Sequence, residues 1–392
     1  MYNTVMKLLK KALPALAAIC VLACATGCNT EKNYTFYTNM HGGYEIKDKS
    51  FNAGELIPGF TPYERGGEAP DGTGYTPKGI TFYKMHTDAT VVVFDDFTAE
   101  GAVNKYNEFT SAVNATLDDV DKSLSTSVAN SDISKFNSAE AGAKVQISKI
   151  AYEVLSEAKR IYDKTEGYYN PALYYNVLAY GFGDNHRILK TKEELPKDEV
   201  ITKYNELAAH FNEVELIQEG ETHYAVKPEY TVEVEGETLT LHVDLGGIAK
   251  GYAVDKVEAL FNEYGYAYGN FSYGASSMLI KRHVDGSYNI GLSSPRSPSK
   301  QPYLQIPVIN EKISTSGDSE QYYTIDGTRY CHIIDAMTGK PVQTGIMSAT
   351  VIGGGAAEDD ALTTAIMAMG KEKAIKFIEE KLNDRKVIFT CE

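Results

Sequence analysis

The pattern of apolar and polar positions along the chain predicts helices and strands in an irregular order. Stretches with apolar residues three and four positions apart favour helices, and shorter runs rich in β-branched or alternating apolar residues favour strands. The predicted helices cover residues 99–124, 149–164, 197–211, 248–264 and 359–381, the last with a candidate break at Gly370. The predicted strands cover residues 90–94, 223–226, 230–234, 238–245, 276–282, 288–292, 304–308 and 387–389. This mixed order, without a visible internal repeat, indicates the α+β class.

The N-terminal part of the chain has a different pattern. Residues 12–25 form an apolar run behind three lysines, which is too short for a permanent membrane helix and is typical of an export signal. Residues 25–28, Ala-Thr-Gly-Cys, resemble a bacterial lipobox in which Cys28 is lipidated; Cys24 is a second candidate, and a simple secretory signal is the alternative.

These features predict three parts of the chain. Residues 29–78 are rich in Gly, Pro, Thr and Asn and keep no period, so they are expected to be irregular. We therefore predict a lipoprotein signal peptide over 1–27, a tether and irregular lead-in over 28–79, and one body over 80–392. The expected location is the cell membrane, with the body held by a lipid anchor on the extracytoplasmic side.

Charge and cysteine content restrict the function. The formal net charge is −15, which argues against nucleic acid or an anionic membrane surface as partner, since both require a basic face. A phosphorylated ligand would need a metal ion or a local basic group. Three of the five cysteines lie within the first 28 residues. Only Cys331 and Cys391 remain in the body, and a disulfide between them is left open.

The sequence HVDLGGIAKGYAVD, residues 242–255, predicts a strand, a glycine turn and a helix in direct succession. Such a junction places backbone N–H groups and the positive end of a helix dipole where a phosphate can bind. Asp244 would stand at its edge, where it could hold a metal ion or accept a proton. An ordinary strand–helix connection is the structural alternative.

Two later clusters carry further candidate residues. Asp360 and Thr364 are four apart, so they share a helix face, and their oxygens suit Mg²⁺; helix-dipole stabilisation is the alternative. His332 precedes the strand-like residues 333–334 and lies between the polar ISTSG turn (313–317) and a TGKP turn, which favours a ligand pocket over an ordinary core histidine.

Two clusters are less specific. Residues 123–137 form a hydroxyl-rich polar stretch that would serve equally as a surface turn. Residues 167–183 combine aromatic residues with glycines. Their rings could bracket a planar ligand, although core packing explains them as well.

The order of these motifs closely resembles the ApbE family of FAD:protein FMN transferases. The resemblance rests on DLGGIAKGYAVD, ISTSG, YCHIIDAMTGKP and DDALTTAIMAMG, in this order along the chain. It extends upstream to Met85-x-Thr87, to STSVANSDISKFN and to GYYNPALYYNVLAYGFG, and covers residues 84–389. It implies a single α+β catalytic body related to the T-fold, with mixed sheets packed against helices.

The resemblance also implies a set of site residues. The Mg²⁺ ligands would be Asp360, Thr364 and the backbone carbonyl of Ala249, with Asp359 as an adjacent alternative to Asp360. The FAD site would be lined by Met85, Thr87, Ser125, Tyr169, Asn170, Asp244 and Lys250. Asp244 and His332 would take proton-transfer or positioning roles.

The sequence departs from the family pattern around the ring site. Asn170 replaces an aspartate, Ala172 a threonine and Tyr180 a tryptophan. The family's Asn-Leu-Gly-Gly-Asp element appears as Ser-Tyr-Gly-Ala-Ser at 272–276, and Ala336 replaces a proline. None of these changes removes a predicted metal ligand.

The implied activity is Mg²⁺-dependent transfer of FMN from FAD to a serine or threonine hydroxyl of an acceptor flavoprotein in a membrane redox system, with release of AMP. FAD hydrolysis to FMN and AMP at the same site is one alternative. A non-catalytic flavin-binding lipoprotein and a solute-binding lipoprotein are the others. Storage of flavin would not require Mg²⁺, so the pair Asp360 and Thr364 favours an enzyme.

Overall fold

The computed structural model describes residues 33–39, 42–47, 74–183, 186–274, 276–283, 286–293, 295–296 and 302–392. The predicted signal peptide and the lipidation site Cys28 lie outside these residues. The described α-helices are α1 (Ala102–Leu124), α2 (Asp132–Ser138), α3 (Lys149–Lys164), α4 (Tyr174–Ala179), α5 (Asp198–Ala208), α6 (Gly246–Glu263), α7 (Ala356–Met369) and α8 (Lys371–Lys381). Within these ranges, no helix is long and apolar enough to cross a membrane.

The strands alternate with these helices without a fixed order, as expected of the α+β class. They are β1 (Asn33–Thr38), β2 (Gly42–Lys47), β3 (Thr76–Lys84), β4 (Thr87–Asp95), β5 (Lys144–Ile147), β6 (Glu215–Glu219), β7 (Thr222–Val226), β8 (Thr231–Val234), β9 (Glu237–Thr240), β10 (Gly269–Tyr273), β11 (Ser277–Ile280), β12 (Tyr288–Ser293), β13 (Pro302–Val308), β14 (Glu311–Gly317), β15 (Tyr322–Ile325), β16 (Thr328–Cys331), β17 (Ile334–Asp335), β18 (Lys340–Pro341), β19 (Ile346–Ile352) and β20 (Lys386–Cys391).

A nine-stranded sheet organises the molecule, with strand order β2-β1-β20-β19-β14-β11-β10-β4-β3. Every neighbouring pair in this sheet is antiparallel. Strand β4 shows how the sequence pattern produces it: Ala89, Val91 and Val93 alternate with more exposed residues and are fully buried. The α+β prediction is confirmed.

The main core lies between one face of this sheet and the helices. Helices α6 and α7 pack on each other and on the central strands, and α1 packs on α6. In α1, Phe109, Val113 and Leu117 are fully buried, as the helical period of the sequence predicted. The opposite face is covered by the β12–β13 hairpin, where Ile306 packs with Ile352 and Ile388 in a second apolar cluster.

The predicted irregular lead-in contains regular structure. Strand β1 joins the central sheet by pairing with β20, and β2 pairs with β1. The sequence did not show this because β1 is short and lacks a turn signal that links it to β20, its partner at the other end of the chain.

The region around the glycine junction also differs from the prediction. The predicted strand over 238–245 ends at Thr240, and residues 241–245 have no strand partner. The predicted glycine turn is instead the start of α6, which begins at Gly246. The ISTSG sequence is not a turn, since it belongs to β14. Residues 132–138 of the predicted polar loop form α2, whose first turn is capped by Ser131 Oγ, which accepts from Ser134 N–H (2.9 Å).

Other predictions are confirmed. The break in the last predicted helix falls at Gly370, whose φ of 74° separates α7 from α8. The left-handed region favours glycine there, because a side chain would be strained. Cys331 and Cys391 are both buried and free, so the disulfide that the sequence left open is not formed between them.

Candidate active site

A cleft of about 300 Å³ opens where the N-terminal turn of α6, the middle of α7 and strand β14 meet. Its size lies at the lower end of the roughly 300–1,000 Å³ of ligand pockets. The predicted site residues that line it are Tyr169, Asn170, Asp244, Lys250, His332, Asp360 and Thr364. These side chains come from four separate parts of the sequence, and the fold brings them together.

Asp360 and Thr364 lie on the cleft face of α7. Asp360 is 3% exposed, and its Oδ2 accepts a hydrogen bond from the Gly251 N–H of α6 (3.0 Å). Thr364 Oγ1 is 3.5 Å from Ser316 Oγ on β14. A Cβ built on Gly247 would lie 3.7 Å from Thr364 Oγ1, which shows how closely the start of α6 approaches α7. The two oxygen-bearing side chains therefore face the first turns of α6.

Asp359, the alternative metal ligand, points away from the cleft. Its Oδ1 accepts from Arg385 Nε (3.1 Å), and its Oδ2 accepts from the Gly354 N–H (2.9 Å). Its side chain is fully buried, and burial raises the pKa of this carboxyl to about 7, against the opposing effect of Arg385. Both carboxylate oxygens are occupied by protein donors, so the arrangement favours Asp360 as the ligand.

The position of α7 depends on contacts with α6. The two helices cross so closely at Gly251 that a Cβ there would lie 2.1 Å from the Ala356 carbonyl oxygen. One turn further along α6, Asp255 accepts hydrogen bonds from the N–H groups of Ala356 and Ala357, each at 2.9 Å. These bonds satisfy two of the free N–H donors at the start of α7. The negative charge of Asp255 also interacts favourably with the positive end of the α7 dipole. The sequence motif KGYAVD thus holds the helix that carries Asp360.

The start of α6 forms a second wall. Asp244 Oδ1 accepts from the Gly246 N–H (2.8 Å), and the Asp244 N–H donates to the Pro171 carbonyl (2.8 Å). Lys250 Nζ donates to the Gly246 carbonyl (3.0 Å), which keeps its positive charge at the cleft. A helix N-terminus with an adjacent ammonium group is suited to an anionic ligand such as pyrophosphate.

His332 faces the cleft from the opposite side. The backbone N–H of His332 donates to the Gln321 carbonyl (3.1 Å), and the ring Nδ1 is 3.4 Å from the same oxygen. Burial, with a smaller contribution from the positive charge of Lys250, lowers the pKa of His332 to about 4, against the opposing effect of the Gln321 carbonyl. The imidazole is therefore neutral at pH 7 and able to accept a proton.

Tyr169 and Asn170 occupy the floor between these walls. Tyr169 is 3% exposed, and its hydroxyl has no hydrogen-bond partner within the described part of the chain. Burial, together with the charges of Asp360 and Asp244, raises the pKa of Tyr169 well above its usual value, so the hydroxyl keeps its proton. Asn170 instead closes a local turn, accepting from the Ala172 N–H (2.9 Å) and donating to the Ala208 carbonyl (3.0 Å).

Three predicted FAD-site residues do not line the cleft. Met85 belongs to the β3–β4 turn, where its φ of 46° places it in the left-handed region. Thr87 lies against Gly274, with its Oγ1 3.0 Å from a Cβ built on that glycine. Ser125 follows α1, and its Oγ is 2.9 Å from Ser127 Oγ. The structure therefore brings seven of the predicted side chains to the cleft and leaves these three outside its lining.

The aromatic segment is divided between the cleft and the core. Its aromatic residues that line the cleft are Tyr168, Tyr169 and Tyr174. Phe182 stacks on Tyr323 with centroids 5.5 Å apart, Tyr323 on Tyr330 at 5.5 Å, and Tyr330 on Tyr180 at 6.4 Å. Tyr180 and Phe182 are buried in this stack, so they are not available to bracket a planar ligand. Gly183, which follows them, reaches the cleft.

Sequence reasoning missed some of the cleft residues. Ser316 was seen only as part of a turn, whereas β14 directs it at α7, where its Oγ lies 2.7 Å from Thr363 Oγ1. Glu320 and Gln321 also line the cleft, from the loop between β14 and β15. No local pattern marks them, since only the packing of that loop brings them to the site.

The donors at the cleft fit a hard cation. Within the described residues, no three His, Cys, Asp or Glu side chains form a metal cluster. The predicted set is a different one, with a carboxylate, a hydroxyl and the backbone carbonyl of Ala249, a buried residue of α6. Asp360 has no ion pair with a described basic residue, and a buried carboxylate without one favours a bound cation.

Comparisons with known proteins agree with this geometry. Residues 85–389 match the ApbE family. The chain is 30% identical over 271 residues to the FAD:protein FMN transferase of Vibrio cholerae, covering 67% of this chain and 74% of that protein. It is 26% identical over 277 residues to the enzyme of the same name from Escherichia coli, covering 70% and 74%.

Solved structures show the same fold. The flavin transferase ApbE from Vibrio cholerae superposes with a TM-score of 0.64 at 25% identity, covering 80% of this chain and 93% of that one. The ApbE protein of Thermotoga maritima gives a TM-score of 0.65, covering 80% and 94%, and at 22% identity it supports the fold alone. The predicted resemblance is confirmed.

Proposed function

Since this chain belongs to the ApbE family, we propose that it is an FAD:protein FMN transferase that uses Mg²⁺ and modifies a serine or threonine hydroxyl of an acceptor protein. The transfer of FMN from FAD to a protein follows from its relatives. The metal, the acceptor hydroxyl and the cellular location are the parts proposed here.

The observation that carries the metal proposal is the buried Asp360 carboxylate without a basic partner. Asp360, Thr364 and the Ala249 carbonyl would hold Mg²⁺. When bound, the ion would neutralise charge on the pyrophosphate, which an acidic protein otherwise repels. The N–H groups at the start of α6 and the Lys250 ammonium would bind the same phosphates.

The reaction forms one bond and breaks one. The acceptor hydroxyl oxygen attacks the phosphorus on the FMN side of FAD, a new phosphoester bond forms, and the P–O bond to AMP breaks. The hydroxyl proton goes to a base at the cleft. His332 is neutral and faces the cleft, which supports it as the acceptor of that proton, with Asp244 as the alternative base.

The proposed location follows from the sequence alone. A lipid on Cys28 would anchor the mature chain to the extracytoplasmic face of the cell membrane. The acceptor would then be a flavoprotein of a membrane redox system whose flavin domain faces the same side. A chain with Cys28→Ala should lose lipid labelling and appear in the soluble fraction.

One assay tests the reaction. The chain lacking residues 1–28 is incubated with FAD, Mg²⁺ and an acceptor protein that carries a target threonine; flavin fluorescence of the acceptor in a denaturing gel and released AMP are then measured. Fluorescent acceptor supports transfer. AMP with free FMN supports hydrolysis, and bound but intact FAD supports storage; either result contradicts the proposal.

Two variants test the metal site in the same assay. We expect Asp360→Ala to lower the transfer rate at least 100-fold, since it removes the only carboxylate of the predicted set. Asp359→Asn is the matched control, because it removes a negative charge one residue away that faces Arg385. It should lower the melting temperature but retain transfer and its dependence on Mg²⁺. Full activity of Asp360→Ala would refute the assignment.

A further inference from the structure

The segment that carries Asp244 pairs with no strand in the described part of the chain. Residues 241–245 run from the end of β9 to the start of α6 as irregular chain. Leu241, Val243 and Leu245 are fully buried, which fixes the segment from one side. Its polar backbone groups must find partners elsewhere, since buried N–H and C=O groups are costly to leave unpaired.

Asn137 supplies two of these partners. Its side-chain Nδ2 donates to the Val243 carbonyl (2.9 Å), and its Oδ1 accepts from the Val243 N–H (2.9 Å). The amide therefore pairs with Val243 as a neighbouring strand would, across 106 residues of sequence. Asn137 is 6% exposed and does not line the cleft. Asp244 is the next residue, so the two bonds act directly on the position of its carboxylate.

Lys227 fixes Asn137 in turn. Its Nζ donates to the carbonyls of Asn137 (2.7 Å) and Ala139 (2.8 Å) and lies 2.8 Å from Thr240 Oγ1. Lys227 is 1% exposed, and no carboxylate in the described ranges pairs with it. It thus connects the end of α2, which carries Asn137, with the end of β9, after which the Asp244 segment begins.

The burial of this ammonium group is unusual. Burial lowers the pKa of Lys227 to about 8, against an ordinary value near 10.5. A buried lysine is costly unless its donors are satisfied, and here three oxygens satisfy them. A methionine of similar shape would fill the same space without the three bonds, so the bonds distinguish lysine from an ordinary core residue.

We propose that Asn137 and Lys227 form a clamp that positions Asp244 for FMN transfer. Both are positioning residues, since neither reaches the cleft. The inference rests on the proposed function, because it assigns Asp244 a part in the reaction. Small displacements of a reacting group lower rates strongly, and a shift of about 1 Å can cost on the order of 100-fold.

The test measures kcat and KM for FAD in four chains: wild type, Asn137→Leu, Asp244→Asn and the double variant. Leucine has a similar volume to asparagine but makes neither bond to Val243. We expect Asn137→Leu to lower kcat/KM at least 30-fold in the wild-type chain. In the Asp244→Asn background, the same substitution should lower kcat/KM less than threefold. If Asn137 had a purely structural role, its substitution would lower kcat/KM by the same factor in both backgrounds. That result would overturn the proposal.

Lys227→Met gives the second test and covers the case in which Asn137→Leu does not fold. It should lower kcat/KM at least tenfold, again with little further loss in the Asp244→Asn background. Melting temperatures establish that each chain is folded at the assay temperature. Wild-type kinetics in a folded Lys227→Met chain would also overturn the clamp.

Failure of the proposed function gives a different result. If the wild-type chain forms no fluorescent acceptor and Asp244→Asn changes no measured rate, the reaction is misassigned. If the wild-type chain transfers FMN and Asp244→Asn is impaired, but Asn137→Leu is not, only the clamp is wrong.

Discussion

Tyr169 and Asp360 share one property at the scale of single residues: each is buried beside the cleft with polar atoms that the described protein leaves available. Tyr169 has a hydroxyl without a partner, and Asp360 has a carboxylate without a basic partner. A buried hydroxyl without a hydrogen-bond partner is rare in folded proteins and indicates a missing ligand, ion or water. Tyr169 lies on the floor of the cleft and Asp360 on the α7 face that borders it, so one bound group could contact both.

We predict that Tyr169→Phe raises KM for FAD or for Mg²⁺ by about fivefold to tenfold, since a typical hydrogen bond contributes a net free energy of about 0.5–1.5 kcal/mol. Steady-state transfer rates at varied FAD and Mg²⁺ measure this. Tyr266→Phe is the matched control, because Tyr266 is also buried with an unpartnered hydroxyl but packs on Phe109, away from the cleft. Equal effects of the two substitutions would contradict the role of Tyr169.

At the scale of elements, the site depends on the crossing of α6 and α7. Gly251 allows the backbones to meet, and Asp255 binds the first N–H groups of α7. The predicted metal ligands lie on both helices, with the Ala249 carbonyl on α6 and Asp360 on α7. The separation of the two helices would therefore set the size of the proposed cation site.

We predict that Gly251→Ala separates the helices, because its Cβ would lie 2.1 Å from the Ala356 carbonyl oxygen. Overpacking of this kind typically costs about 1–3 kcal/mol. The melting temperature should fall by several degrees, and the Mg²⁺ concentration for half-maximal transfer should rise. Gly355→Ala is the control at the start of α7, where the nearest atom to a new Cβ, Asp255 Oδ2, is 3.8 Å away. A normal Mg²⁺ response in Gly251→Ala would show that the crossing does not set the site.

At the scale of the whole molecule, the two ends of the described chain meet in one sheet. Strand β1 pairs with β20, and Tyr37 is buried against Phe389 with ring centroids 5.1 Å apart. Asn39 Nδ2 also donates to the carbonyl of Arg385 (2.6 Å), the residue whose side chain binds Asp359. The N-terminal segment thus completes the body rather than serving only as a tether.

We predict that a chain starting at residue 75 melts about 5 °C or more below a chain starting at residue 29. Loss of the buried Tyr37 ring alone removes about 2–3 kcal/mol, and about 1 kcal/mol corresponds to roughly 2–4 °C in a large domain. Calorimetry of both chains measures this. Asn39→Ala in the longer chain should give a smaller loss, and identical melting of the two chains would show that β1 is dispensable.

Much of the fold was predictable from local pattern. The helix over 149–164 was predicted with the bounds that the structure shows, and the break at Gly370 was predicted from a single glycine. Strand β14 was missed because its ISTSG sequence is rich in polar residues, which a buried central strand rarely contains. The polar side chains are there because they face α7 and the cleft.

The candidate site was predictable to the extent that it follows helical spacing and family motifs. Asp360 and Thr364 are four residues apart, and any helix would place them on one face. The choice between Asp359 and Asp360 could not be made from spacing. Adjacent residues point to different sides of a helix, and only tertiary packing determines which side faces the cleft. Arg385 binds Asp359 from a distant part of the chain, and this contact favours Asp360 as the predicted ligand.

The sequence by itself determined the family, the α+β class and most of the residues at the cleft, because these follow from motif order and from periods of a few residues. Only the tertiary structure decided that α6 begins at Gly246, that β1 joins the sheet, and that Asn137 and Lys227 hold the Asp244 segment. The reason is the range of the forces involved. Hydrogen bonds and packing between residues about a hundred positions apart leave no periodic trace in the sequence.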